Sequence, residues 1–98
     1  PKFMALQMES ILNEAAPCYV LPILREGIAD GSIRADYPEQ LAEVLLLMTD
    51  LWLHPILRPS TPEQVRARCA FFNQFTRQYG FELLDEDLIE AMAEFSRT

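Results

Sequence analysis

The residues whose types could do chemistry are few: one histidine, two cysteines and a run of carboxylates near the C-terminal end. His54 stands between Leu53 and Pro55 at the end of an apolar stretch. A lone imidazole without a nucleophile or a second acid-base group is expected to cap carbonyls or line a surface, not to catalyse. Cys18 and Cys69 have no Cys-x-x-Cys or histidine-rich spacing, so neither a disulfide framework nor a zinc site is expected. Both fall on apolar stripes and read as small core hydrophobes. Asp85, Glu86, Asp87 and Glu90 resemble a cation-binding run, but they open a helix, where the macrodipole favours negative charge without any metal. No catalytic residue, metal or cofactor is expected, and the chain does not read as an enzyme.

What remains is an excess of soft and aromatic side chains, which are core material and also the usual wall of a cavity for an apolar ligand. Placed on helical stripes, Met4, Met8, Ile11 and Tyr19 can converge with Leu45, Met48, Trp52 and Phe72. The expected ligand-binding site is a cavity among these eight, taking a small apolar or amphipathic effector.

The elements that would position them are helices. Met4, Met8, Ile11 and Ala15 recur at helical spacing until Pro17 closes the run. A second helix is predicted from about Pro17 to Asp30, with Val20, Leu24 and Ile28 on one stripe and Gly31 as a left-handed stop. Asp36-Tyr37-Pro38-Glu39 reads as a capping box, with the Asp36 carboxylate as N-cap. It starts a third helix, about Tyr37 to Leu53, apolar round most of its circumference and therefore expected at the centre of the core. His54 to Pro59 is a crossover with two prolines. Ser60-Thr61-Pro62-Glu63 starts a fourth helix, about Pro62 to Tyr79, ended by Gly80. A fifth, about Glu86 to Ser96, follows an Asp85 cap, with Leu84 positioned to staple to Ile89. Nothing alternates with period two, so the fold class is all-α, an antiparallel bundle of about five helices in one domain spanning residues 1–98.

Half of the 98 residues are apolar, enough for a core, yet a domain this small folds with a margin of only about 5 kcal/mol and gains noticeably from an extra interface. A net charge of −7 repels a phosphate backbone, so no direct nucleic-acid contact is expected. The longest apolar run, Val44 to Met48, is too short to cross a membrane, and no signal peptide opens the chain. Membrane binding is not expected, and the cysteine usage suits the cytoplasm. The start at Pro1 without a methionine suggests a fragment. Four arginines, Arg58, Arg66, Arg68 and Arg77, precede the acidic stretch from Glu82 to Glu94, and the two stretches are expected to attract one another.

On the fourth helix, Phe71 and Phe75 form a stripe separate from the one carrying Val65, Cys69, Phe72 and Tyr79. On the fifth, Leu88, Met92 and Phe95 line one side, and Ala91 and Ala93 permit close approach of another helix. A two-fold homodimer is therefore expected through Arg68, Phe71, Phe75, Leu88, Ala91, Met92 and Phe95, with Arg68 and Arg77 facing Glu90 and Glu94 across it.

The stretch Leu24 to Pro38, with Gly27-Ile28 followed by Gly31 and then Tyr37-Pro38 opening an apolar helix, resembles the regulatory domain of TetR-family transcriptional regulators. The resemblance continues through Ala42, Leu45, the Trp52-to-Pro55 exit and the two last helices. It implies an effector-binding and homodimerisation domain, with operator DNA bound by an N-terminal helix-turn-helix that this sequence does not contain. Ligand binding would then relieve repression. The alternative is a free-standing helical module that binds another protein and no small molecule.

Overall fold

Pro17 is where local expectation and structure part. In the computed structural model, which describes residues 1–53 and 59–97, helix α1 runs without interruption over residues 2–30. Its flanks, Lys2–Ser10 and Leu21–Asp30, are α-helical, but over Ile11–Val20 the turn widens to π geometry, so that the Leu21 N–H donates to the Ala16 carbonyl five residues back. A proline inside an α-helix lacks one donor and drives its ring against the preceding turn. A wider turn gives that ring room, so the helix continues through Pro17 instead of ending there. The first two expected helices are one.

Helix α2 (residues 38–52) is α-helical over Pro38–Leu47 and widens again over Met48–Trp52, closed by the Leu53 N–H on the Met48 carbonyl. Helix α3 is Pro62–Arg77 and helix α4 is Glu86–Phe95. The described residues thus form four helices and no strand, where five helices were expected. His54 and the crossover through Arg58 lie outside the described residues.

The caps explain two of these starts and correct a third. Thr61 accepts from the Gln64 N–H and Gln64 returns the bond to the Thr61 N–H, a complete capping box with its N3 partner one residue later than the sequence suggested. Asp85 accepts from the Leu88 N–H at 2.8 Å. At α2 the N-cap is Tyr37, not Asp36, and no side chain caps it. Proline prefers the first helical position, which makes the residue before it the cap. Thr61-Pro62 places a hydroxyl there; Tyr37-Pro38 places a phenol and leaves Asp36 one residue too early.

Helices α1 and α2 pack as a hairpin, and α3 and α4 as another. One core joins them: Ala16 and Leu24 of α1, Leu41, Ala42 and Leu45 of α2, Leu53 just after it, Val65, Cys69 and Phe72 of α3, and Ala93 of α4. The alanines let helix axes approach closely. Cys18 is not in this core; it is exposed, because the wide turn rotates the residues after Ile11 away from the stripe that α-spacing assigns.

The molecule measures 41 × 33 × 15 Å, no more than two helices deep at usual axial spacing of roughly 8–10 Å. Its radius of gyration is 14.3 Å, against about 12.6 Å for a compact domain of this length. A flat shape leaves apolar side chains outside. Val44 and Trp52 of the all-round apolar helix α2 are exposed, as is every apolar residue of Lys2–Ser10. No helix among the described residues is long and apolar enough to cross a membrane.

Candidate ligand cleft and association surface

Three glycines tie the α1–α2 linker to the end of α3. Gly31 ends α1 with φ 87°, and the Ser32 N–H donates to the Asp30 carboxylate at 2.8 Å; the Ser32 side chain, and then this N–H, hold that carboxyl below its usual pKa. Ile33 folds back over Gly27, where a Cβ would clash with the Ile33 Cδ1 and Cγ1. Gly80, with φ 101°, sits against the same linker, and a Cβ would come within 2.5 Å of the Ser32 carbonyl oxygen. The Arg34 N–H donates to the Tyr79 carbonyl at 2.9 Å. The linker and the end of α3 are thereby one rigid junction.

Beside that junction lies an open cleft of about 430 Å³. Asp36, Tyr37, Gln40, Leu41 and Val44 form one wall, and Phe75 with Tyr79 the other. Phe75 and Tyr79 meet edge to face with centroids 5.5 Å apart. Asp36, released from capping, makes no hydrogen bond or ion pair with the described residues. A smaller cleft of about 240 Å³ between Pro17 and the Glu39/Glu43 side of α2 has Glu39 already paired with Arg25. Among the described residues no group of histidine, cysteine, aspartate or glutamate is arranged to hold a metal ion.

None of the eight residues expected to line a cavity borders either cleft. Ile11, Leu45 and Phe72 are buried in packed interior, Met48 is half-buried against the core, and Met4, Met8, Tyr19 and Trp52 are exposed. The wide turn in α1 again separates them, turning Tyr19 out to 71 % exposure. Sequence reasoning missed Asp36, Tyr37, Phe75 and Tyr79 as a set. Two signals were present: the i,i+4 aromatic pair Phe75 and Tyr79 at the end of α3, and the proline that displaces Asp36 from the cap.

The expected dimer residues divide. Phe71, Leu88, Ala91 and Phe95 are exposed, whereas Phe75 and Met92 pack against the core. Phe71 meets Trp52 edge to face at 5.8 Å, on the side of α3 that turns toward α2. Helix α4 docks on the other side, where Asn73 holds Leu84 through Nδ2 to the carbonyl (2.7 Å) and Oδ1 from the N–H (3.3 Å). Positions 71 and 73 point roughly 160° apart on a helix. Phe71 and the outer face of α4 are therefore two patches, not one stripe. The charges proposed to cross the dimer are used within the chain: Arg66 forks onto Glu90 at 2.9 and 3.0 Å, Arg77 pairs with Glu82, Glu94 lies 3.5 Å from Arg97, and Arg68 donates to Ser60 at 2.6 Å. Among the described residues the basic and acidic stretches do pair, within the one chain. That fork raises the Arg66 pKa and lowers that of Glu90.

The chain exposes 6636 Å², whereas a compact monomer of 11.3 kDa exposes about 5,700 Å². Much of the excess is apolar: Phe3, Leu6, Ile23, Phe71, Leu83 and Phe95 are each at least half exposed. Comparison with family models, with curated proteins and with solved structures found no match to this chain.

Proposed function

We propose that this chain is the effector-binding and homodimerisation domain of a TetR-like transcriptional repressor, with the cleft beside Tyr37 and Tyr79 as its effector site. The observation that carries the association half is the surplus of surface. It amounts to roughly 900 Å², close to the ~800 Å² that each partner contributes to a stable interface. The Gly27-to-Gly31 stretch on which the family resemblance rests has a structural use at both glycines, which supports reading it as a built motif. Effector binding at a junction between two helical hairpins would shift their packing, and with it the spacing of two DNA-reading domains in a dimer.

The test is the mass in solution. Sedimentation equilibrium at tens of micromolar should give a dimer, and Leu88→Glu or Phe71→Glu, one on each exposed patch, should identify the patch that carries it by returning monomers. A wild type that remains monomeric removes the association reading. One observation favours the second reading, a helical module that binds another protein and no small molecule: the core is closed, with Ala42, Cys69, Phe72 and Ala93 wholly buried. Retention of apolar aromatic compounds in equilibrium dialysis separates the two, since that module would retain none.

A further inference from the structure

We propose that the cleft between the start of α2 and the end of α3 selects an organic ammonium ion. The proposal rests on the effector reading above and names its ligand class. Three aromatic rings, Tyr37, Phe75 and Tyr79, line the cleft together with one carboxylate, Asp36. Ring faces attract a cation through their quadrupole, and they do so best for a cation too weakly hydrated to prefer water, such as a quaternary ammonium. Asp36 is the only charged group among the lining residues, and no partner within the described chain neutralises it. On α3, Arg77 in the last turn is paired with Glu82.

Charge decides between ligand classes. An anion would meet Asp36 and a chain of net charge −7. A neutral apolar ligand would lie beside the exposed Asp36 carboxylate and offer it no counter-charge. An ammonium group offers the carboxylate a counter-charge and the rings a cation, while Leu41 and Val44 supply apolar wall for its carbon substituents. The volume of about 430 Å³ lies within the range of small-ligand sites.

The experiment titrates the ¹⁵N-labelled chain with choline and, separately, with 3,3-dimethylbutanol, which has the same shape without the charge. Saturable shifts at the Tyr37 and Tyr79 amides are expected with choline. Each exposed ring adds roughly 2–5-fold in affinity, so choline should bind at least about fivefold more tightly than the alcohol. Raising the salt should weaken choline alone. Asp36→Asn should weaken choline and leave the alcohol unchanged, without disturbing the fold, because this carboxylate makes no bond within the described chain. Equal binding of the two probes, or an Asp36→Asn variant that binds choline as wild type does, overturns the ammonium proposal and leaves an effector cleft standing. Absence of binding by either probe overturns both, and the sedimentation result remains independent.

Discussion

Gly31 and Gly80 both adopt left-handed backbone, but only one of them is pressed against a neighbour, so alanine at each position separates two costs. Placing a Cβ on left-handed backbone costs about 1–2 kcal/mol. At Gly31 that is the whole effect, because the new Cβ would meet no atom within 4 Å. At Gly80 it would meet the Ser32 carbonyl oxygen at 2.5 Å, and since that atom is backbone, no side-chain rotation relieves the clash. The linker must move, and the Arg34 N–H to Tyr79 carbonyl bond is lost with it. A net backbone hydrogen bond is worth about 0.5–1.5 kcal/mol. Gly31→Ala should therefore destabilise by about 1–2 kcal/mol and Gly80→Ala by about 1.5–3.5 kcal/mol. The larger figure is a substantial share of the roughly 5–15 kcal/mol that holds a domain folded. Urea unfolding followed by far-ultraviolet circular dichroism measures both, at one protein concentration, because dimerisation would otherwise shift the midpoint. Equal losses at the two glycines would refute the idea that Gly80 fixes the linker against α3.

Other consequences follow from single contacts. Asn73→Leu should cost about 1–3 kcal/mol in the same assay, since it fills the space but abandons both backbone groups of Leu84. Cys18 should react with iodoacetamide at pH 8 in the native protein, while Cys69, buried and with its thiol pKa pushed up by desolvation, should react only on unfolding, as mass spectrometry would show. Because Arg66 depresses the Glu90 pKa in the folded chain, the pair's stabilisation is full above the unfolded carboxylate value of about 4.3 and is lost as pH falls through the depressed one. Glu90→Gln should therefore flatten the decline of the unfolding midpoint below about pH 4.3.

The all-helical character, the starts of α3 and α4, and the glycine that ends α1 are legible in the sequence, because caps, prolines and left-handed glycines act through bonds spanning a few residues. Pro17 was misread for the same reason: a local rule ends a helix there, and only packing of the turn Ile11–Val20 against α2 makes a widened turn worth keeping. That widening then moved Cys18 and Tyr19 off the stripe to which sequence spacing assigns them. Burial on an all-round apolar helix such as α2 has no local signature, since spacing identifies an apolar face but not which of several faces a neighbour will cover. Tertiary structure alone decided that Leu41, Ala42 and Leu45 are covered while Val44 and Trp52 are not. The cleft is of the same kind. Asp36 and Tyr37 are more than thirty-five residues from Phe75 and Tyr79, and they meet because Gly80 can lie against the Ser32 carbonyl, a contact between two loops that no periodicity encodes.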